Sequence, residues 1–350
     1  MKLALVVNNI FTECSDYTTT LIALTAIDMG HEVWYIGVEQ LSYGKDDMVY
    51  AKARRVPVHR YYSTDVFLRT LKSDKAIEER VTLDELDILW LRNDPAEDVF
   101  THPWTALAGI NFGRLAMRHG VLVLNDPNGL NKAVNKMYLQ YFPEEVRPRA
   151  IITRDRDDIK HFIQQEGGNA VLKPLSGSGG HNVFLIRSND KANLNQIIEA
   201  ISREDYIIAQ EYLPEAVHGD TRMFLLNGKP LTYKGRIAAI HRVRGADEED
   251  MRSNMTAGAT AIKAQVTPDM LEVAEIVRPK LTGDGMFFVG LDVVGNKLME
   301  INVFSPGGLA SCEHLEKAKF TREIIFSLEN KVRYIRHYNR HFDNPEMAML

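Results

Sequence analysis

Three stretches of the chain carry side chains whose types and spacing can do chemistry. In VLKPLSGSGGHNVFLI (171–186), Lys173 stands near the end of an apolar run that reads as a strand, and Ser176, Gly177, Ser178, Gly179 and Gly180 follow. Glycines remove the steric barrier to positive φ, so the N–H groups of such a loop can turn toward one anion, and the hydroxyls add donors. With an ammonium emerging beside it, the loop suits a polyphosphate. It is not a Walker A element, because no Gly-Lys-Ser/Thr follows and a strand comes next. A plain glycine hairpin with a surface lysine is the simpler alternative.

In GLDVVGNKLMEIN (290–302), Asp292, Glu300 and Asn302 lie on two strands joined at Gly295-Asn296, a hairpin signal. Glu300 and Asn302 are two apart and share a strand face, which Asp292 can meet across the hairpin. Three such oxygen ligands suit Mg²⁺ holding a phosphate; an exposed polar hairpin face is the alternative. The third stretch, YIIAQEYLP (206–214), turns polar at Gln210 and Glu211, continues through Tyr212 and Leu213, and precedes Asp220 and Arg222. Leu213 precedes a proline and is held extended. Backbone groups here can meet an adenine edge, Asp220 a ribose hydroxyl, and Arg222 a phosphate or carboxylate.

The elements that must position these residues follow from the apolar pattern. LALVVNN (3–9), a helix around 18–29, Gly30 and HEVWYIGV (31–38) make a βαβ start, which favours a parallel sheet. LDILWLRNDP (86–95), a helix over 104–118 and VLVLN (121–125) extend it. This first α/β unit lacks the glycine fingerprint of a dinucleotide site, since Asn8-Asn9-Ile10-Phe11 follows its first strand. A helix through 135–142 leads to strands at 150–153, 169–175, 182–187 and 206–213, interleaved with helices at 156–165 and 193–202. The last third is strand-rich, with one helix over 268–281. The fold expected is an α/β, Rossmann-like unit over 1–124, followed by an α+β pair over 125–205 and 206–330. The basic tail, 331–350, reads as a frayed helix with a solvated end.

Composition limits the function classes. At 350 residues the chain has room for two or three domains of roughly 100–200 residues each. Its 45% hydrophobic and 25% charged content is globular. The net charge of −5 speaks against a general nucleic-acid binder. No apolar run approaches the ~20 residues that span a bilayer. The opening MKLALVVNN reads as a strand, not a signal peptide, and two unpaired cysteines fit a cytoplasmic protein.

In order and spacing, these motifs resemble the ATP-grasp superfamily and are similar to bacterial glutathione synthetases. The resemblance spans LRNDP (91–95), LNDPNGLNKAVNKMYLQYF (124–142), the glycine loop, the 209–231 stretch, RSNMTAGA (252–259) and the 289–306 hairpin. It implies an N-terminal substrate-side (pre-ATP-grasp) domain, a lid subdomain and a C-terminal subdomain with the metal ligands. By that resemblance Lys136 and Lys173 contact ATP phosphates under the 176–180 flap. Gln210 to Leu213 hold adenine and Asp220 the ribose. Asp292, Glu300 and Asn302 bind two Mg²⁺, with Mn²⁺ as a substitute. Arg222, Arg236 and Asn254 stand near the acyl phosphate, and Arg92 near the substrate. The charged stretch 241–256 looks like a mobile loop over the site.

The activity so implied is an ADP-forming acid–amino-acid ligase, joining a small-molecule carboxylate and amine without nucleic acid or membrane, as a homo-oligomer (dimer or tetramer). One departure bears on substrate: after EIN the chain reads VFSPGGLASCEHL (303–315) where the family has Thr-Ser-Pro-Thr. Ser305 is kept, while Gly307 and Gly308 resemble acceptor loops whose N–H groups bind a carboxylate. Asn8-Asn9 replaces an acidic residue and proline. A peptide or protein acceptor, and a non-catalytic nucleotide binder, are the alternatives.

Overall fold

The computed structural model describes residues 1–58, 60–98, 102–177, 182–188, 193–203, 205–243, 260–338 and 342–350. The first unit is built on β1 (Lys2–Val7), followed by helix α1 (Thr18–Asp28) and β2 (Glu32–Gly37). Nearly every residue of β1 and β2 is buried on both faces, as in a parallel strand covered by helices. Next come β3 (Leu41–Tyr43), β4 (Val49–Arg55), α2 (Thr64–Lys72), β5 (Ile77–Thr82) and β6 (Ile88–Leu91). Helices α3 (Pro95–Asp98) and α4 (Ala108–Arg118) lead to β7 (Leu122–Leu124). The strand order is β3-β4-β2-β1-β6-β7, with β5 paired to β4. Parallel pairing joins β2, β1, β6 and β7, as expected. The antiparallel β3, β4 and β5 were not foreseen. Their sequences, such as VYAKARR and IEERVT, interleave charged with apolar residues and so carry no unbroken apolar run.

A short helix α5 (Pro127–Lys132), capped by the Asp126 carboxylate, and a 3-10 turn over Lys136–Tyr141 lead into the second unit. This unit comprises β8 (Ala150–Thr153), α6 (Arg156–Gln165), β9 (Ala170–Pro174), β10 (Phe184–Ile186), α7 (Leu194–Ser202) and β11 (Ile207–Glu211). Its sheet runs β10-β9-β11-β8. Because β11 pairs with both β8 and β9, the unit runs to Glu211 and not to the expected 205. It buries its own core of Ile159, Phe162, Leu172, Ile198, Ile207 and neighbours, all between 159 and 209.

The third unit contains β12 (Asp220–Leu226), the short β13 (Lys229–Pro230), β14 (Thr232–Tyr233) and β15 (Arg236–Ile237), then β16 (Ala239–Val243) and β17 (Thr260–Lys263). Helix α8 (Pro268–Gly283), β18 (Phe288–Val294), β19 (Lys297–Asn302), α9 (Leu309–Glu316), α10 (Phe320–Tyr338) and α11 (Asn344–Met349) complete it. The sheet order is β17-β16-β12-β18-β19, antiparallel throughout. Two cores run continuously from the first sheet into this one: Trp90 of β6 meets Phe287 and Phe288 edge-on, and Phe288 stacks on Phe224. The Asn125 amide adds a polar fastening, donating to the Phe288 and Val303 carbonyls and accepting from Phe288 N–H. Units one and three are thus one body, and unit two stands apart from their cores.

The tail differs from the expected solvated end. Lys331 is fully buried in α10, where it donates to Asn227 and burial lowers its ammonium to about 7. Asn344 docks on the edge of β7: its Oδ1 accepts from Val123 N–H at 2.8 Å, and its Nδ2 donates to the Val123 carbonyl and to Asp126. One amide thereby does the work of a missing edge strand. Each buried backbone group left without a partner costs about 1–3 kcal/mol. Asn344→Ala should therefore lower the unfolding temperature by several degrees; an unchanged melting curve would show that the tail contributes nothing.

Candidate functional site

A cleft of about 860 Å³, partly open to solvent, lies where the second unit faces the β18–β19 hairpin. Its walls include Lys136, Lys173, Gly177 and Gln210 from one side and Glu300, Asn302 and Ser305 from the other. Each arrives by a local rule. Lys136 opens the 3-10 turn that Asn135 caps. Lys173 and Ile208 are paired across β9 and β11, which brings the lysine and Gln210 to one cleft wall. Asp292 sits opposite Glu300, and Gly290 opposite Asn302, so the three oxygen side chains share the hairpin face that their spacing implied.

Two lysines converge on this cleft. The Lys136 ammonium donates to the Ser176 carbonyl at 3.3 Å and to that of Gly177, so it holds the start of the glycine loop. Gly177 has φ of +89° with open space around it, as a phosphate-facing loop requires. Burial lowers the Lys136 ammonium, against Glu300, Asp205 and Asp94. Burial also brings Lys173 down to about 8, opposed by Glu300 and reinforced by Lys136. Two cations are thus held out of water and close enough to repel. The Glu300 carboxylate makes no side-chain hydrogen bond or ion pair with the described residues.

Several expected site residues have other work here. Asp292 is gripped by Arg222, with Nε–Oδ1 and Nη2–Oδ2 both 2.7 Å, by Arg242 at 2.8 Å, and by the Asn302 amide. Burial pushes its carboxyl up, but the two arginines overcome that and hold it at about 2. Arg242 continues to Asp220, with Nε–Oδ1 of 3.0 Å. Asp220 therefore lies inside a buried Arg222–Asp292–Arg242–Asp220 chain and not free on the cleft wall. Glu211 turns back to Arg149, accepting from its backbone N–H and its guanidinium. Tyr212 and Leu213 lie just past β11 and do not line the cleft. Arg236 caps the C-terminal end of α9 through the Glu316 and Lys317 carbonyls, where the helix dipole favours a cation.

Arg92 is buried at the end of β6, outside the cleft lining. Gly307 accepts from Arg222, and Gly308, with φ of +95°, caps α9; a Cβ there would meet Ile240 at 2.7 Å. His241 to Val243, at the start of the expected 241–256 loop, are instead part of β16. Ser178, Gly179, Gly180, Asn254 and the rest of 244–259 lie outside the described residues.

Sequence reasoning missed Asp94 and Arg242. Asp94 lines the cleft within the LRNDP stretch, where Arg92 alone had been singled out. Its loop is clamped by Asn8, which donates to the Asp94 carbonyl and Asp98 and accepts from Asp94 N–H. An amide can make all three bonds, and an ionised acid at that position cannot donate. Arg242 pairs with Asp220 directly across β12 and β16, a register visible only once the strands are paired.

A divalent cation fits the donor chemistry in part. Glu300 and Asn302 offer hard oxygens to the cleft. Asp292 offers one only by sharing it with its arginines.

The chain has relatives in a known family. The family described as "Prokaryotic glutathione synthetase, N-terminal domain" matches residues 1–131, and "Prokaryotic glutathione synthetase, ATP-grasp domain" matches residues 135–317. A glutathione synthetase of Nostoc sp. is 31% identical over 95% of this chain and 99% of its own. One of Agrobacterium fabrum is 34% identical over 90% and 91%. Among solved structures, the D-cycloserine synthetase DcsG aligns over 93% of this chain and 99% of its own, with a TM-score of 0.59 at 12% identity. The ATP-grasp ligase PsnB, complexed with a minimal precursor, aligns over 94% and 99%, with a TM-score of 0.59 at 14% identity. Those two likenesses show the fold.

An anion bound between Lys136 and Lys173 needs both charged, and a lysine lowered to about 8 loses its proton above that pH. Nucleotide affinity should therefore be full below about pH 8 and weaken as pH rises through it. Titration of ADP between pH 7 and 9.5 checks this, and Lys173→Met should bind more weakly at pH 7 with a flatter profile. A pH-independent affinity in the unmodified protein would contradict the assignment.

Proposed function

The chain belongs to the prokaryotic glutathione synthetase family, and from that premise we propose how its own residues carry out the ligation. It is an ATP-dependent, ADP-forming ligase with an ATP-grasp fold behind its N-terminal domain. The family works with ATP and a divalent cation. The proposed reaction is that of a glutathione synthetase, joining the cysteinyl carboxylate of γ-glutamylcysteine to the amine of glycine. The observation that carries it is the convergence of Lys136, Lys173, Glu300 and Asn302 on one cleft beside a separately cored unit.

In the first step a carboxylate oxygen of the donor attacks the γ-phosphorus of ATP, and the bond to the β–γ bridging oxygen breaks as ADP leaves. Lys136 and Lys173 neutralise charge on the transferring group, where little covalent work is asked of the protein. In the second step the amine attacks the acyl carbon, phosphate departs with the carboxylate oxygen, and the amine loses a proton. Glu300 and Asn302 would hold the cation, which supplies charge neutralisation between phosphates when bound. We expect two Mg²⁺ ions, with Asp292 contributing an oxygen while Arg222 and Arg242 keep it ionised. The second unit shields the acyl phosphate from water. Gln210 lines the cleft for the base, and Gly307 and Gly308 border the acceptor side, supported by their place just after Ser305. The ATP supply and two free cysteines fit a cytoplasmic location. No helix among the described residues is long and apolar enough to cross a membrane.

The test is phosphate release from ATP with Mg²⁺ and a panel of carboxylate–amine pairs. Release with γ-glutamylcysteine plus glycine above all other dipeptides supports the reading, and ordinary ADP binding without turnover of any pair overturns it. Glu300→Gln should cut turnover by at least ~10²-fold with an unchanged melting curve, in the range of losing one charge-stabilising group. Near-normal turnover would remove Glu300 from the metal site.

A further inference from the structure

The first unit holds a charge arrangement that the cleft chemistry does not use. Arg92 is only 3% exposed, lies over the Trp90 and Phe288 rings, and spends its Nε on the Thr19 hydroxyl at 3.1 Å. Its Nη1 is buried with no partner, and no carboxylate pairs with it among the described residues. Thr19 is in the first turn of α1, where N–H groups have no carbonyl of their own helix and the helix end is partially positive. A buried guanidinium against a helix N-terminus is unfavourable unless an anion joins them. No side chain caps α1 and its first turn has no acid. A second helix start converges there: Leu309 N–H of α9 donates to the Thr18 hydroxyl at 3.3 Å, and Gly308 leaves that helix without a side-chain cap as well.

The nearby acid is Glu13, 9% exposed, whose Oε2 is also buried without a partner. Glu13 and Arg92 feel one another's charge but do not pair. Burial lifts the Glu13 carboxyl to about 7, with Arg92 and Lys72 opposing and Glu97 adding. The Tyr35 hydroxyl, beside Thr20, is buried in the same cluster. A separated, unfilled cation and anion flanked by two helix N-termini are complementary to a ligand carrying both charges. The cluster borders the cleft: Asp94, two residues after Arg92, and Ser305, two before Gly307, both line it.

We infer that Glu13, Arg92 and the N-terminus of α1 form a receptor for the α-amino-acid end of the donor substrate, with carboxylate on Arg92 and the helix amides and ammonium on Glu13. This rests on the ligase reading and adds to it that Glu13 is a specificity residue demanding a free ammonium. A γ-glutamyl peptide has that end remote from its reacting carboxylate, so the receptor can hold one end while the other meets ATP.

The experiment is calorimetric titration of the full chain, with ADP and Mg²⁺ present, using γ-glutamylcysteine, its N-acetyl derivative and glutarylcysteine, which lacks the ammonium. The unmodified protein should prefer the free amine by about tenfold or more, in the range of one charge-assisted hydrogen bond. Glu13→Gln should shrink that preference to about threefold or less with ADP affinity and melting temperature unchanged, and Glu13→Asp should restore part of it. Equal binding of amine and N-acetyl forms by the unmodified protein, which needs no variant to fold, overturns the inference; so does a Glu13→Gln protein that keeps the full preference. Turnover of the peptide pair with no amine preference would leave the ligase reading standing and sink this one. Selective binding of the zwitterion without tripeptide formation would do the reverse.

Discussion

The active cleft depends on where the apolar cores stop. Two cores run without a break from the parallel sheet of the first unit into the antiparallel sheet of the third, through Trp90, Phe287, Phe288 and Phe224. The second unit closes its core within itself, on Ile159, Phe162, Leu172 and Ile207. Close-packed interiors resist shear, so motion is cheapest where packing is absent. The seam beside the second unit is that place, and it is also where Lys173 faces Glu300. A nucleotide bound between Lys173 and Glu300, as proposed, would touch both bodies.

Charge on the two sides of the seam is arranged differently. On the side of the second unit, Lys136 and Lys173 are crowded and partly dehydrated, a state that the proposed polyphosphate would relieve. On the hairpin side, Arg222, Asp292, Arg242 and Asp220 satisfy one another in a buried chain, which fixes the pleat that carries Glu300 and Asn302. Breaking such a chain by removing one partner costs about 3–5 kcal/mol, because a charge is left alone in a dry place. One network is therefore a rigid support and the other a poised receptor, although both are built from the same residue types.

Much of this was legible in the sequence. The parallel strands and the Gly295 hairpin follow from unbroken apolar runs, and the shared face of Asp292, Glu300 and Asn302 follows from strand period. What could not be read was partnership. Nothing local in AQEYL says that Glu211 turns back to Arg149, and nothing in GDTR says that Asp220 is held by Arg242, twenty-two residues on. Arg236 reads as a site arginine until α9 is seen to end beside it. The charged strands β4 and β5 hid because their alternation is polar, and Asn344 hid because a single amide on a strand edge leaves no periodic trace.

In the proposed reaction a carboxylate oxygen of one substrate becomes an oxygen of the released phosphate. The direct measurement is turnover of γ-glutamylcysteine labelled with ¹⁸O at both oxygens of its cysteinyl carboxylate, together with glycine, ATP and Mg²⁺, followed by mass spectrometry of the phosphate. One ¹⁸O atom in each phosphate, matched by ADP and tripeptide in equal amounts, is the expected result. Unlabelled phosphate would mean that water, and not the carboxylate, attacks ATP in this cleft, and would contradict the ligase account.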